Sequence, residues 1–136
     1  MINEKKFEYK DFYKKLLFQK NDLQTLNNLG HYIGLHSHNH PSMIEKLNYD
    51  EQKNEYEKCL SSISSILEKP KNEIKCMSHP HGSYNDDTLE ILKELGIELG
   101  FKKEMIIEKE RKMKKINNSS LEIARADHSS ILKMIK

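Results

Sequence analysis

Residues 30–41 read Gly-His-Tyr-Ile-Gly-Leu-His-Ser-His-Asn-His-Pro, and the fold turns on the first half of this stretch. Tyr32-Ile33-Gly34-Leu35 is a short apolar run with no polar alternation, as expected of a strand buried on both faces in a parallel sheet. Parallel neighbours need a crossover, and the next segment supplies one. Between about 51 and 69, Tyr56, Cys59, Leu60, Ile63, Ile66 and Leu67 form one apolar stripe at helical spacing. Asp50 offers an N-cap, and Pro70 lies just past the end. Glu-Ile-Lys-Cys-Met-Ser (73–78) then reads as a second strand, Pro80-His81-Gly82 as a turn, and Asp86 to Leu95 as a helix stopped by Gly96. Ile97–Phe101 and Leu121–Ala126 read as third and fourth strands, and the last residues as the start of a helix. Upstream, Phe12/Leu16 and Tyr13/Leu17 predict a helix over 7–19, and Asp22, an N-cap candidate, opens a short one through Leu23, Leu26 and Leu29 that Gly30 ends. The charged stretch 102–118 reads as a surface loop or a solvated helix. Strands alternating with helices give an α/β fold with mainly parallel strands.

Composition narrows the function. At 136 residues the chain has the length of one domain, expected to run over 1–136. Only 36% of residues are apolar against 32% charged, so the core is lean. No run of about 18 apolar residues exists, which excludes a membrane-spanning helix. The first residues lack the apolar stretch of a signal peptide, so the expectation is a soluble, cytoplasmic protein. The 23 basic and 21 acidic residues are interspersed and nearly cancel, leaving no field to draw nucleic acid or a membrane surface. Even the Lys-rich run 109–115 has acids just upstream and reads as solvated surface. Cys59 and Cys76 read as free thiols. A nucleophile elbow, a phosphate-binding glycine loop and a Cys-x-x-Cys pair are all missing, against serine-hydrolase, nucleotide-binding and zinc-ribbon readings.

Histidine is the unusual component. Three of the seven stand at His36, His38 and His40, and two more at His79 and His81. Whether the backbone there is helical or extended, His36 and His40 can turn their imidazoles the same way. Two neutral imidazoles suit zinc, or a neighbouring transition metal, better than calcium or magnesium. In parallel α/β folds ligands gather at the carboxyl ends of strands, where His36, His79 and Asp127 all fall.

These residues carry a resemblance. The 30–41 stretch resembles the His-Ser/Thr-x-x-His metal motif of polysaccharide deacetylases, carbohydrate esterase family four, also called the nodulation-protein-B homology domain. Ser78-His79-Pro80-His81-Gly82-Ser83-Tyr84-Asn85 is similar to that family's Pro-Tyr-Gly-x-Tyr-Asn motif, and Leu95-Gly96-Ile97 to its step into the next strand. Leu-Glu-Ile-Ala-Arg-Ala-Asp-His (121–128) resembles the Arg-x-Asp strand of one branch of the family. The resemblance implies a deformed (β/α) barrel with one divalent metal, zinc or another transition metal, that removes acetyl groups from N- or O-acetylated sugars. It implies an aspartate base and a histidine acid. By position, His36 and His40 would hold the metal, with Ser37 bracing the loop. Peptide N–H groups around His81 and Gly82 would hold the oxyanion, with Tyr84 on the substrate side. Arg125 and Asp127 would orient the acid/base histidine, assigned to His128.

The chain departs from the family at three places. The Thr-Phe-Asp-Asp motif, which supplies the base and a carboxylate ligand, is absent, and only 35 residues precede His36. Asp11 and Asp22 stand in helical or capping contexts instead. His79 precedes the motif proline, and His81 replaces its tyrosine. The third ligand would then come from His38, His79, His81 or Asp127. The expectation is a partial barrel, truncated at the N-terminus, that binds metal with hydrolysis reduced or lost. The alternatives are a catalytically silent metal- or glycan-binding remnant, or half of a split enzyme. Self-association or a complementing N-terminal fragment would then complete the barrel.

Overall fold

Two asparagines start the helices that cover the sheet. The computed structural model describes residues 16–103, 119–125, 131–132 and 135. It divides into two units, Met1–Tyr32 and Ile33–Lys136.

In the second unit, helix α2 (Tyr49–Leu67; α1 lies in the first unit, below) begins earlier than the apolar stripe suggests. Asn48, not Asp50, is its N-cap: the Asn48 side chain accepts the Glu51 N–H, and the Glu51 carboxylate accepts the Asn48 N–H, each at 3.0 Å. Such a reciprocal box satisfies two donors that a helix start otherwise leaves open. The helix ends at Glu68, whose left-handed backbone (φ 54°) breaks the repeat before Pro70. Helix α3 (Asp86–Glu94) is capped by Asn85 in the same way, with Thr88 as the reciprocal partner. Asn85 does more than cap. Its oxygen also accepts from Gln52 Nε2 on α2 (3.3 Å), and its amide donates to the Glu45 carbonyl (3.1 Å). Asn85→Ala is therefore expected to cost about 2 kcal/mol, and Asn48→Ala about 1 kcal/mol. Urea unfolding of the two variants checks the difference, and equal losses would contradict it.

The sheet is parallel throughout. Strand β1 (Cys76–Ser78) pairs with β2 (Leu99–Phe101) in the register Cys76↔Leu99, Met77↔Gly100, Ser78↔Phe101. Leu35 bridges Met77 on the outer side of β1, and Ile123 bridges Phe101 on the outer side of β2. All four expected strand segments thus lie side by side in chain order, joined across β1 and β2 by α2 and α3. They are shorter than expected. The 32–35 and 121–126 segments reduce to single bridges among the described residues, and Lys71–Glu73 winds into a 3₁₀ turn after Pro70 instead of joining β1. Leu35, Ile44, Tyr56, Met77, Ile91 and Leu92 are fully buried between the sheet and its helices. Both cysteines are free thiols.

In the first unit, α1 (Lys20–Asn28) has Gln19 at its N-cap, and Asp22 stands three positions on, where its carboxylate accepts the Gln19 N–H at 2.7 Å. Asp22 is thus a first-turn acid and not the cap that its spacing suggests. Gly30, at φ 92°, ends the helix as expected. Most of the helix expected over 7–19 and of the stretch 102–118 lies outside the described residues. No helix among the described residues is long and apolar enough to cross a membrane.

Candidate functional site

The loop leaving Leu35 holds two non-glycine residues in the left-handed region, Ser37 at φ 60° and His40 at φ 53°. Each such residue costs roughly 1–2 kcal/mol, so the conformation persists only if its surroundings hold it. Two groups do. Ser37 Oγ accepts the His40 N–H at 3.1 Å. The carboxylate of Glu55, reaching out of α2, accepts the N–H of His38 (3.1 Å) and of Asn39 (2.7 Å), and its second oxygen accepts from Asn39 Nδ2 (2.6 Å). Burial pushes the Glu55 carboxyl upward, but the donors of Asn39 and His38 outweigh it and hold its pKa below the ordinary value. Sequence reasoning missed Glu55. Its signal was there: a carboxylate on the buried stripe of α2, next to Tyr56 and four residues before Cys59.

The loop brings His36 and His40 together, with their Nε2 atoms 3.1 Å apart. His36 Nδ1 lies 2.7 Å from the carbonyl oxygen of Ser78 at the end of β1, and 3.0 Å from Ser78 Oγ. A carbonyl only accepts, so this contact assigns the proton to Nδ1 and turns the Nε2 lone pair of His36 outward. That is the arrangement by which metal-binding histidines are oriented. The residues fit a divalent transition metal: metal–imidazole bonds run about 2.0–2.1 Å, so nitrogens at this separation can share one cation. Among the described residues, no group of three His, Cys, Asp or Glu side chains converges to hold a metal. The His81 imidazole stands edge-on to His40, with ring centroids 4.5 Å apart.

The 80–82 turn is tight, with His81 at φ 54° and Gly82 at φ 76°. Gly82 N–H donates to the His79 carbonyl at 3.0 Å, whereas the His81 N–H has no hydrogen-bond partner among the described residues. A Cβ on Gly82 would stand 2.8 Å from Lys103 Cβ, which gives this glycine a packing reason as well.

His79 and Tyr84 form a separate cluster. The His79 ring is buried, stacks on Tyr84 at 4.3 Å and donates from Nε2 to the Leu121 carbonyl at 2.8 Å. Its Nδ1 has no partner among the described residues. Tyr84 donates its hydroxyl to Glu122 (2.9 Å), whose other oxygen accepts from Ser119. Burial, then the Glu122 carboxylate, push the Tyr84 pKa up to about 12. Arg125 is exposed two residues beyond the Ile123 bridge, and His38 is exposed with its N–H taken by Glu55. Asp127 and His128 lie outside the described residues. The structure therefore gathers His36, His40 and His81, and ties Tyr84 to His79 and Glu122 instead.

Burial pushes the His79 pKa below its ordinary 6.5, with the Leu121 carbonyl pulling the other way. The unfolded chain then binds this proton more readily than the folded one. The contribution is complete above the unfolded value and is lost as pH falls through the lower folded value. The urea midpoint is expected to drop as pH falls below about 6.5, and His79→Gln to flatten that part of the profile. Parallel profiles for the two proteins would count against it.

Residues 2–100 match the family model for polysaccharide deacetylase. No curated protein sequence matches the chain. Similar solved structures include the following three. The deacetylase PplD of Streptococcus pyogenes, in complex with acetate, superposes with a TM-score of 0.64 at 21% identity over 88% of this chain and 51% of its own. IcaB of Ammonifex degensii gives 0.64 at 15% identity, over 87% of this chain and 52% of its own. BA3943 of Bacillus anthracis, a pseudoenzyme of carbohydrate esterase family four, gives 0.51 at 20% identity, over 57% and 26%. This chain spans about half the length of the first two. The likeness is one of fold: the parallel strands and their crossover helices are part of a (β/α) barrel. Since the family model covers most of the sequence, the chain belongs to the polysaccharide deacetylase family.

Proposed function

We propose that the chain carries the metal-binding part of a deacetylase that hydrolyses acetyl groups from N- or O-acetylated sugars. The observation that supports this best is the pair of Nε2 atoms 3.1 Å apart beside the carboxyl end of β1. In this reading His36 and His40 hold one divalent cation, with zinc favoured by the imidazole donors. Such an ion, when bound, supplies Lewis acidity toward the acetyl carbonyl and lowers the pKa of water.

The chain's own groups have the remaining roles. The His81 N–H, without a hydrogen-bond partner among the described residues, is the donor for the developing oxyanion in this reading, while Gly82 shapes the turn, its own N–H being used within it. The His81 ring stands on the substrate side, and Tyr84 stiffens the wall through His79 and Glu122. By the motif resemblance, Arg125 and Asp127 orient His128, which protonates the leaving nitrogen or oxygen as the acetyl bond breaks. The motifs that carry this reading lie between 30 and 128.

A second reading has its own support: the sequence has no Thr-Phe-Asp-Asp, and a missing general base costs about 10²–10⁴-fold in rate. The chain would then be a silent metal- or glycan-binding remnant, or half of a split enzyme. Acetate release from N- and O-acetylated oligosaccharides, with zinc supplied, separates the two. Slow release that His36→Ala abolishes supports the enzyme, and sugar binding without release supports the silent form. Release that needs neither zinc nor His36 would overturn both.

A further inference from the structure

We infer that Glu55 is the positioning residue of the histidine pair: it holds the 37–40 loop in the one conformation that sets His40 Nε2 against His36 Nε2. The inference rests on the reading of the pair as a metal centre and goes beyond it, because Glu55 touches neither imidazole ring in the contacts of its carboxylate.

The geometry works through the backbone. His40 reaches His36 only because the chain reverses within four residues, and that reversal uses the left-handed backbone of Ser37 and of His40 itself. For residues with a Cβ that conformation is uphill, so something must select it. Ser37 Oγ takes the His40 N–H. The amides of His38 and Asn39 point the other way, into the protein. They converge on one oxygen of Glu55, and the Asn39 side chain closes on the other. Successive N–H groups aimed at one carboxylate form an anion-binding concavity, here filled from within the chain. Glu55 is 7% exposed, so water cannot readily replace it. It stands in the second turn of the nineteen-residue helix α2, whose Tyr56 and Leu60 are locked in the core, so its own position is rigid. Charge-assisted bonds of this kind exceed neutral ones about twofold. No other side chain among the described residues bonds to the amides of both His38 and Asn39.

Glu55→Gln tests this with the full chain. Glutamine is of the same size and keeps one acceptor oxygen, but its amide faces donors where the second oxygen accepts. Three readouts are compared with wild type: zinc affinity by calorimetry, amide exchange at residues 38–40, and the imidazole ¹⁵N signals of metal-free His36 and His40. Exchange at β1, residues 76–78, reports whether the core is intact. We expect zinc affinity to fall about 10–100-fold, as for other residues that orient a ligand. Exchange at 38–40 should quicken, the ¹⁵N signature of the Nε2 contact should weaken, and β1 should be unchanged. If His36→Ala and His40→Ala abolish zinc binding while Glu55→Gln leaves affinity and ¹⁵N signals as in wild type, Glu55 does not position the pair and the inference is overturned. If neither histidine variant alters zinc binding, the metal reading fails instead. The inference about the loop is then decided metal-free: unchanged ¹⁵N signals overturn it, and a weakened contact with β1 intact upholds it. Should β1 also lose protection, Glu55→Asp decides: a shorter carboxylate that restores β1 but not the Nε2 contact supports positioning, and restoration of both together overturns it.

Discussion

Replacing His36 with alanine is expected to weaken zinc binding by about 100-fold or more. Structural zinc sites bind with about 10–16 kcal/mol shared among four donors, so one imidazole carries roughly 2.5–4 kcal/mol. Here the loss falls on the donor that Ser78 orients, leaving His40 without the partner 3.1 Å away. His40→Ala should act alike, and the double variant only slightly worse than either, because a lone imidazole is already a poor site. A stability readout accompanies the calorimetry. Zinc at about a hundred times its dissociation constant stabilises the fold by about 2.7 kcal/mol, and this shift should vanish in either variant. His31→Ala removes an exposed histidine of the first unit and serves as the control. An unchanged zinc affinity in His36→Ala would sink the metal reading.

Gly100→Ala is expected to be the most damaging small substitution in the sheet. Gly100 lies in β2 with Met77 opposite on one side, while on the other its N–H donates to Ser120 and its carbonyl accepts from Ile123. A Cβ there would overlap the carbonyl oxygen of Leu121. The obstacle is backbone, so no side chain can swing aside and the 119–123 segment must move off the sheet. Overpacking costs about 1–3 kcal/mol where neighbours can yield, so a loss of about 3 kcal/mol or more is expected here. Gly34→Ala meets a similar barrier, with its Cβ 2.6 Å from the Cys76 carbonyl oxygen. Gly96→Ala is the comparison: its φ of 77° imposes backbone strain of about 1 kcal/mol, but nothing stands within 4 Å of the new carbon. Urea unfolding ranks the variants, and Gly100→Ala unfolding no more easily than Gly96→Ala would refute the close-approach account.

Both effects depend on segments meeting across the sheet, which bears on what could be read in advance. The order of elements was legible. Tyr56, Cys59, Leu60 and Ile63 repeat at helical spacing because a helix buries one face, and all four are buried. The apolar run ending at Leu35 and the strands near 76 and 99 were legible for the matching reason, since a parallel strand is covered on both faces. Cap identity was less legible: Asp50 and Asp22 are as good candidates by type as Asn48 and Gln19, and only the backbone angle at each position chooses between them. Strand lengths were not legible at all, because pairing ends where a neighbour's backbone turns away.

For the site, local sequence determined which residue types stand after each strand, and so placed His36, His40, His79 and His81 at one end of the sheet. Periodicity and turn chemistry act over a few residues, and they suffice for that. Tertiary structure alone decided what these residues do to one another. The contact that assigns the His36 proton goes to a backbone carbonyl forty-two positions away, which has no identity in sequence. The bonds that shape the loop come from Glu55, sixteen and seventeen positions on, where a carboxylate on an apolar stripe looks like a flaw in the pattern. The same holds for Tyr84, drawn to Glu122 rather than to the histidine pair. Sequence determines which groups each element can offer; the packing of α2 and β1 against one loop determines where their donors and acceptors point.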